Sequence, residues 1–312
     1  MAPFSTAASE VGAPTVRTGG VLAGLVGRGI QLSRTPAMHE AEGRAQGLSY
    51  IYRLLDADRM AGGVTALADI VGYAEHFGFD GLNVTFPYKQ EIVPLLADLS
   101  EAARMLGSVN TVVLRDGRRV GHNTDKWGFQ ESFLEEMADV RRDTVLLLGA
   151  GGAGAAVAHA LLDSGVRHLL VADIAPRKAD ALAARLAAGF TGATVSSAPD
   201  LVEAASRADG LVNATPVGMA KLPGIPLDPA LIRPRCWVAD IVYFPLETPL
   251  LAEARRRGCR TMDGQGMAVH QAALAFELFT GRKADVGRMR VAFGESAEAS
   301  RKPSENMKGR KS

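Results

Sequence analysis

Hydrophobic positions along the chain form two patterns: short unbroken runs, and longer stretches in which they recur every three or four residues. The runs at 21–26 and 81–85 are typical of buried strands, because apolar neighbours cover both faces of such a strand. The segment that starts at Thr65 instead has the spacing of one helix face, and Gly78 would end that helix. The first half is therefore predicted to alternate strands with helices.

Local signals add detail to this first half. A helix is predicted over 35–46, with Thr35 as its N-cap, Pro36 in its first turn and Gly47 as its stop. The other predicted elements are a strand over 49–54, a short helix that starts near Lys89 and carries residues 91–96, and a hairpin of strands 111–115 and 119–122 around Asp116-Gly117.

From residue 125 onward the alternation of strands and helices becomes regular. The predicted elements are a helix to 138, strands at 144–148, 168–173, 210–213, 237–242 and 260–262, and helices at 155–163, from 178, at 249–257 and at 267–280. Such alternation is typical of a parallel sheet wrapped by helices. The predicted class is α/β with two domains, the second a Rossmann-type doubly wound parallel sheet.

The predicted domain boundaries follow from these elements. The first domain spans 19–124 and is completed by 266–290, and the second spans 125–265. Residues 1–18 and 295–312 are predicted to be disordered tails. The basic residues at 301–312 lack aromatic neighbours or periodicity, which favours a solvated tail over a nucleic-acid patch.

Composition narrows the class of protein. Hydrophobic residues make up 47% of the 312, charged residues 22%, and the net charge is +1, which is typical of a soluble enzyme and not of a disordered or nucleic-acid-coating chain. The longest apolar region, 144–172, is broken by glycines, two histidines and Asp163, so it is predicted not to span a membrane.

Cysteine and histidine usage points to a reduced, cytoplasmic protein without a metal. Cys236 and Cys259 are too few for a disulfide framework, and the first eighteen residues lack the features of a secretory signal. The six histidines have no ligand spacing, and three are expected at helix or turn surfaces: His39, His122 and His270. No nucleic-acid or membrane partner is predicted, and a homodimer is left open.

A glycine-rich loop between a predicted strand and a predicted helix indicates a dinucleotide site. Its residues are Gly149, Ala150, Gly151, Gly152, Ala153 and Gly154. Gly149 permits a tight turn, Gly151 lets the backbone approach a pyrophosphate, and Gly154 allows close packing of helix on strand. A loop that needs glycine only for packing is the alternative.

The end of the next strand bears on which dinucleotide is bound. Asp173 lies nineteen residues after Gly154, where a carboxylate binds the ribose hydroxyls of NAD and repels the 2′-phosphate of NADP. Asp173 as a cap of the next helix is the alternative. Arg177 and Lys178 follow, so the predicted preference for NAD is not absolute.

Two polar segments upstream of the loop supply groups for proton transfer. Lys89 is predicted at a helix N-terminus, an unfavourable place for a cation, which indicates a functional role. Asp125 ends the segment Asn123-Thr124-Asp125. The alternatives are an exposed lysine on a turn and an aspartate that caps the following helix.

Taken together, the polar segments resemble the shikimate dehydrogenase family over residues 21–280. The matching pieces are Leu32-Ser33-Arg34-Thr35-Pro36-Ala37-Met38-His39, Asn83 to Lys89, Val109-Asn110-Thr111, Gly121 to Asp125, the glycine loop, Asn213 to Met219, Asp240 to Pro245, and Gly266 to Gln271. Many matches in one order are more specific than any single motif.

The resemblance implies a role for each matched position. The first domain would bind a cyclohexane or cyclohexene carboxylate, with Ser33 and Thr35 on the carboxylate. Thr85, Asn110, Asp125 and Gln271 would bind ring hydroxyls, Tyr243 would lie nearby, and Lys89 with Asp125 would transfer the proton. The positions implied near the nicotinamide are Asn213, Thr215, Met219, Gly264, Gly266 and Met267.

Two departures from the biosynthetic members favour a catabolic enzyme. Those members commonly carry Asn-Arg-Thr where this chain has Asp173-Ile174-Ala175, so the arginine that reads NADP is missing. They usually carry Ser-x-Ser where this chain has Ser33-Arg34-Thr35, which looks like the quinate/shikimate dehydrogenases. The expected reaction is NAD-dependent oxidation of the C3 hydroxyl of quinate, shikimate or both.

Three alternatives remain open at this point. Two are enzymes: an NADP-dependent biosynthetic shikimate dehydrogenase and an aminoshikimate dehydrogenase. The third is a catalytically silent sensor of cofactor or quinate, against which the presence of both Lys89 and Asp125 argues.

Overall fold

The computed structural model describes residues 19–60 and 66–301. The predicted tail at 1–18 and the last eleven residues of the predicted tail at 295–312 lie outside this range. Residues 295–301 belong to the last helix, so the prediction of disorder was wrong there.

The strands and helices have the following bounds. The strands are β1 Val21–Gly27, β2 Tyr50–Asp56, β3 Gly81–Val84, β4 Asp98–Leu99, β5 Thr111–Arg115, β6 Arg118–His122, β7 Thr144–Leu148, β8 His168–Ala172, β9 Thr194–Ser197, β10 Gly210–Asn213, β11 Trp237–Asp240 and β12 Thr261–Met262. The α-helices are α1 Thr35–Ala45, α2 Leu67–His76, α3 Glu101–Leu106, α4 Thr124–Glu136, α5 Gly152–Asp163, α6 Pro176–Gly189, α7 Leu201–Arg207, α8 Pro249–Arg256, α9 Gln265–Thr280 and α10 Val286–Arg301. Single 3₁₀ turns lie at Val93–Leu95 and Pro229–Leu231.

The chain divides into two compact units. Of the described residues, the first unit holds 19–60, 66–104, 109–122 and 272–301, and the second holds 105–108 and 123–271. This division differs from the predicted boundaries in three places: residues 105–108, 123–124 and 266–271 all fall in the second unit. Helix α9 therefore begins in one unit and ends in the other.

The first unit is built on a mixed six-stranded sheet in the order β2-β1-β3-β5-β6-β4. Strand β1 pairs in parallel with β2 and β3, whereas β5 is antiparallel to both of its neighbours. Asp116 and Gly117 take positive φ values of 52° and 69°, as a two-residue hairpin turn requires. Helix α2 buries Leu67, Ile70, Val71 and Ala74 of the face that the sequence pattern predicted, whereas Phe77, the next position of that pattern, follows the helix and is 69% exposed.

The second unit has an all-parallel sheet in the order β12-β11-β10-β7-β8-β9. Numbered from β7, this is the Rossmann order 3-2-1-4-5-6 read from the other edge, so the direction of winding reverses between β7 and β10. Val145, Leu146 and Leu147 of β7 are fully buried, as expected for a central strand with helices on both faces. The predicted α/β class and the Rossmann-type sheet are confirmed.

Two local predictions were wrong, and one alternative is excluded. Helix α1 has Arg34 at its N-cap, without a side-chain cap, and Thr35 is its first residue. Residues 86–90 form turns and only a 3₁₀ turn follows at Val93–Leu95, so Lys89 does not begin an α-helix. The N-cap of α4 is Asn123, whose side chain accepts from the Lys126 N–H, so Asp125 is not a cap.

Short elements of the second unit escaped prediction. Helix α7 has only seven residues and begins where Asp200 accepts from the N–H groups of Val202 and Glu203, at 2.8 and 3.1 Å. Strand β9, four residues long, lies at the sheet edge. Neither is long enough for its periodicity to be recognised. None of the described helices combines the length and apolar character that crossing a membrane requires.

Candidate functional site

In the first unit, the segments that follow β1 and β3 meet at the carboxyl end of the sheet. The Arg28 N–H donates to the Phe86 carbonyl at 3.2 Å, and the Thr85 N–H donates to the Val26 carbonyl at 3.0 Å. A Cβ on Gly27 would lie 2.5 Å from Thr85 Cγ2, so only glycine allows this approach. From β1 the chain continues to the strand on one side of the β1–β3 pair, and from β3 it continues to the strands on the other side. Such a reversal is a topological switch point, where α/β sheets bind ligands.

The loop after β1 is held by a carboxylate at the end of β2. Asp56 accepts from the N–H groups of Gly29 and Ile30 at 2.9 and 3.2 Å, and from Gln31 Nε2 at 2.9 Å. Hydrogen bonds from Gln31 and from backbone N–H groups lower the pKa of Asp56, although burial acts in the opposite direction. Asp56 was not predicted as a site residue, although its position after an apolar strand resembles that of Asp173.

Ser33 and Thr35 are brought together by this loop. Ser33 Oγ accepts from the Thr35 N–H at 3.3 Å and donates to Thr35 Oγ1 at 3.1 Å, and both residues are half-buried. Two adjacent hydroxyls at a switch point suit recognition of a carboxylate.

Lys89 lies in the turns after β3 and is half-buried. Its carbonyl accepts from the Val109 N–H at 2.8 Å, which ties this segment to the residue before Asn110. The Asn110 side chain is buried, and its Oδ1 accepts from Thr111 Oγ1 at 3.2 Å. The first unit thus brings Lys89 and Asn110 onto adjoining segments.

A buried hydrogen-bond chain supports Asn110 from below. Tyr52 donates to Asn83 Oδ1 at 2.7 Å, and Asn83 Nδ2 donates to Thr111 Oγ1 at 3.0 Å. Buried polar side chains that are paired in this way have one orientation, because any other leaves a group without a partner.

In the second unit, the glycine loop lies at the switch point between β7 and β10. Gly149 has a φ of 101°, and a Cβ there would lie 2.9 Å from the backbone of Ala214. A Cβ on Gly154 would overlap the Gly149 carbonyl oxygen, so the predicted packing role of Gly154 fits its surroundings.

The same loop fits the phosphates of a dinucleotide. A Cβ on Gly151 would meet nothing within 4 Å, so the space beside this residue is open. Helix α5 starts at Gly152 and has no side-chain cap, which leaves its first N–H groups directed toward that space. Ala150 and Ala153 lie on either side of Gly151 and Gly152 in this loop.

Asp173 links the glycine loop to the end of β8. Its Oδ2 accepts from the Ala150 N–H and its Oδ1 from the Ala175 N–H, both at 2.8 Å. The N-cap of α6 is Ala175, so Asp173 does not cap that helix, and the half-buried carboxylate lies against the loop. Arg177, in the first turn of α6, is exposed.

The segment after β10 carries Asn213, Thr215 and Met219. Asn213 Oδ1 accepts from both the N–H and the hydroxyl of Thr215, at 2.9 and 2.7 Å. Met219 is 42% exposed. Thr215 Cγ2 lies 3.1 Å from the position of a Gly149 Cβ, so the segments after β7 and β10 are in contact.

A second carboxylate, Asp240, holds the segment after β10 by hydrogen bonds. Asp240 is fully buried at the end of β11 and accepts from Asn213 Nδ2 at 2.9 Å, from the Val242 N–H at 3.0 Å and from Thr248 Oγ1 at 2.7 Å. Burial raises the pKa of Asp240 to about 6, although these hydrogen bonds act in the opposite direction. The sequence placed Asp240 in a family segment without a role.

Helices α4 and α9 bring further predicted residues together. Thr124 Oγ1 lies 3.5 Å from Gln271 Oε1, and Asp125 follows Thr124 in the first turn of α4, buried. A Cβ on Gly128 would lie 2.7 Å from the Met267 carbonyl oxygen, so glycine permits the close contact of the two helices.

The start of α9 also packs against the segment after β11. A Cβ on Gly264 would lie 2.5 Å from the Ile241 carbonyl oxygen, and a Cβ on Gly266 would overlap Ser132 Oγ. Tyr243, two residues after Ile241, is 41% exposed.

The three histidines expected at surfaces are all buried, so that prediction was wrong. Burial lowers the pKa of His39 to about 3 and that of His122 to about 4, so both are neutral near pH 7. His270 Nε2 lies 3.2 Å from a carboxylate oxygen of Glu135. Among the described residues, no three His, Cys, Asp or Glu side chains are grouped to hold a metal ion.

Three family models match consecutive parts of the chain. The shikimate dehydrogenase substrate binding domain matches residues 25–112, shikimate / quinate 5-dehydrogenase matches 132–220, and the shikimate 5′-dehydrogenase C-terminal domain matches 264–292.

Relatives with different cofactor names are similar to this chain to nearly the same degree. Shikimate dehydrogenase (NADP(+)) of Streptomyces avermitilis is 52% identical over 278 residues, which are 88% of this chain and 96% of the relative. Quinate/shikimate dehydrogenase (NAD(+)) of Corynebacterium efficiens is 50% identical over 278 residues, 88% of this chain and 97% of the relative. The solved structure of quinate dehydrogenase from Corynebacterium glutamicum in complex with NAD has a TM-score of 0.83 and 46% identity, and covers 89% of this chain and 99% of its own.

Proposed function

Since this chain belongs to the shikimate dehydrogenase family, we propose that it oxidises the C3 hydroxyl of quinate, shikimate or both, with NAD as the hydride acceptor. The observation that carries the choice of NAD is the position of Asp173, whose carboxylate accepts from the Ala150 N–H of the glycine loop. A negative charge held at this point disfavours the 2′-phosphate of NADP and provides acceptors for ribose hydroxyls.

The names of the relatives support the activity but do not decide between NAD and NADP, so this choice rests on individual residues. The relative at 52% identity is named for NADP, and the one at 50% is named for NAD. Global similarity therefore does not separate the two cofactors, and the choice of NAD rests on Asp173, the position expected to contact the ribose. Arg177 and Lys178 are exposed beyond Asp173 and would give NADP some residual binding.

The cofactor would be held mainly by backbone groups of the second unit. The first N–H groups of α5, with the open space beside Gly151, would bind the pyrophosphate. Thr215, Met219 and Met267 would lie along the nicotinamide. Nicotinamide chemistry supplies the acceptor for the hydride from C3.

The residues of the first unit would bind and orient the cyclic acid. Ser33 and Thr35 would donate to the substrate carboxylate, and Thr85 and Asn110 would bind ring hydroxyls. The residues of the second unit that the resemblance assigns to ring hydroxyls are Asp125 and Gln271, with Tyr243 nearby.

Lys89 would take up the proton of the C3 hydroxyl as the hydride leaves, and Asp125 is the second residue proposed for proton transfer. A positioned general base is worth roughly 10²–10⁴-fold in rate.

The first test is a set of initial rates with quinate and shikimate, each with NAD and with NADP. Turnover of quinate with NAD and little with NADP supports the proposal. Turnover of shikimate with NADP alone would contradict both the NAD and the quinate assignments and favour the biosynthetic alternative. Asp173→Asn, which removes the charge and keeps one acceptor oxygen, should lower the NAD-to-NADP ratio of kcat/KM about tenfold or more.

A second test addresses the proton transfer. Lys89→Ala should lower kcat by roughly 10²–10⁴-fold and change the dissociation constant for quinate much less. Lys126→Ala is the matched control, because Lys126 pairs with Asp163 at 2.5 Å and has no proposed part in the reaction. Wild-type turnover by Lys89→Ala would remove the assigned role.

A further inference from the structure

Asp240 is a buried carboxylate whose three described donors are all neutral groups. Two of them, Asn213 Nδ2 and the Val242 N–H, donate to Oδ1, and the Thr248 hydroxyl donates to Oδ2. A buried charge without a cation is unfavourable unless it is fully hydrogen-bonded. Since this arrangement does not serve stability well, it calls for another explanation.

The carboxylate determines the orientation of the Asn213 side chain. Because a carboxylate only accepts, it requires the amide NH₂ of Asn213 to face it, and the amide oxygen then faces Thr215. The same NH₂ also donates to the Val217 carbonyl at 2.9 Å, and Thr215 Oγ1 accepts from the Val217 N–H at 3.2 Å. Asn213 thus fixes the backbone of the segment that reaches the switch point.

Thr248 and Asp240 also lie close to Gly218 of this segment. Gly218 has a φ of 107°, and a Cβ there would lie 3.4 Å from Thr248 Cβ and 3.7 Å from Asp240 Oδ2. The Thr248 hydroxyl accepts from the Leu251 N–H at 3.3 Å, so its hydrogen is directed away from α8 and toward Asp240. The pair therefore supports the segment from Thr215 to Gly218 at both ends.

We propose that Asp240, with Thr248, is a positioning residue for the nicotinamide cofactor. It acts through Asn213 on the segment 214–219 and not by contact with cofactor or substrate. This inference rests on the proposed function, since it assumes that the segment lines the nicotinamide site. Loss of the carboxylate would let the Asn213 amide turn and the segment move, and displacements of about 1 Å near reacting groups lower rates up to 100-fold.

Thr248→Val and Thr248→Ser form the decisive pair, because valine has the shape of threonine without the hydroxyl and serine keeps the hydroxyl. Thr248→Val and Asp240→Asn should each raise the KM for the cofactor about tenfold and lower kcat, with less than a twofold change in the KM for the cyclic acid. Thr248→Ser should keep wild-type kinetics. Binding of NADH, followed by its fluorescence, should weaken about tenfold in the same two variants.

The control for a purely structural effect is Asp209→Asn. Asp209 accepts from the Thr144 N–H at 3.0 Å and pairs with Arg141 at 3.4 Å, near the amino ends of β7 and β10, so loss of its charge should lower the unfolding midpoint and leave both KM values unchanged. If Asp240→Asn yields no folded protein, the comparison of Thr248→Val with Thr248→Ser tests the positioning role by itself.

Equal cofactor KM values for Thr248→Val and Thr248→Ser would overturn the inference. A wild-type protein that binds NADH but turns over neither quinate nor shikimate would contradict the proposed function, and the NADH titrations of the variants would still test the positioning role. A wild-type protein that binds no nicotinamide cofactor would overturn both.

Discussion

Under the proposed function, the two units would bind their ligands at the same kind of place with different chemistry. Each has a switch point at which a glycine of the central strand or its loop, Gly27 or Gly149, allows the close approach of a threonine from the neighbouring connection, Thr85 or Thr215. The first site is built from side chains with hydroxyl, amine and amide groups. The second is built from glycine backbone.

The carboxylates that support the two sites differ in the opposite way. Asp56 holds the loop after β1 mainly through backbone N–H groups, and its pKa is lowered. Asp240 is fully buried, holds the other loop through a side-chain amide, and its pKa is raised to about 6. Under the proposed function, one topology would be adapted to a small acid by side chains and to a dinucleotide by the absence of side chains.

The largest expected effects come from a methyl group added at the two glycines. Gly149→Ala combines a positive φ with a contact to the Ala214 backbone, which cannot yield, and should lower kcat/KM for the cofactor about 100-fold. Gly27→Ala meets the Thr85 side chain instead and should raise the KM for the cyclic acid about tenfold. Steady-state kinetics with each substrate varied in turn measures both.

Gly165→Ala separates strain from function. Gly165 has a φ of 91°, and a methyl group added there would have no neighbouring atom within 4 Å, so alanine should cost about 1 kcal/mol of stability and leave both KM values unchanged. If Gly149→Ala and Gly27→Ala raised the same KM, the assignment of one ligand to each switch point would be wrong.

Acid should weaken the first unit more than the second. The pKa of His39 is lowered to about 3 in the folded protein, below the value of about 6.5 in an unfolded chain, so its contribution is complete above pH 6.5 and is lost as the pH falls. At pH 5 this loss amounts to about 2 kcal/mol, and His122 adds to it in the same unit.

The second unit contains titratable groups whose contributions to its stability change in opposite directions with pH. The pKa of His159 is lowered to about 4, which destabilises this unit in acid. The pKa of Asp240 is raised to about 6, so its contribution is complete below the unfolded value near 4 and is lost as the pH rises through 6. Both tryptophans, Trp127 and Trp237, belong to this unit, so their fluorescence during urea unfolding reports its stability.

Hydrogen exchange of peptides from β1 to β3 reports the first unit in the same experiment. Between pH 8 and pH 5 the free energy of unfolding should fall further there than in the second unit, and His39→Phe should remove about 2 kcal/mol of that fall. Equal losses of unfolding free energy in the two units would contradict the prediction that acid weakens the first unit more.

The smallest expected effect concerns Asp56. Asp56→Ala leaves the N–H groups of Gly29 and Ile30 without this acceptor and should raise the KM for the cyclic acid several-fold up to about tenfold, without a change in the KM for the cofactor. Asp58→Ala is the control: it removes an exposed ion pair with Arg28, worth at most about 1 kcal/mol. A change in the KM for the cofactor in Asp56→Ala would show that these carboxylates do not act only on the ligand of their own unit.

Much of the fold could be read from the sequence because its signals are local. The spacing of apolar residues in α2, the unbroken run of β7 and the Asp116-Gly117 turn each depend on a few neighbouring residues. The predictions for Lys89 and Thr35 were wrong because helix starts depend on which backbone groups find partners. That choice involves residues distant in sequence, such as Val109, which donates to the Lys89 carbonyl.

The sequence by itself determined the α/β class, the Rossmann-type sheet, the glycine loop and the family, since each is carried by the order and type of neighbouring residues. The tertiary structure alone decided which acids support the sites, why Gly27 must be glycine, and that His39, His122 and His270 are buried. The physical reason is that burial, close approach and hydrogen-bond partnership join residues far apart in the chain. Asn213 and Asp240 are separated by 27 positions and yet lie 2.9 Å apart, atom to atom.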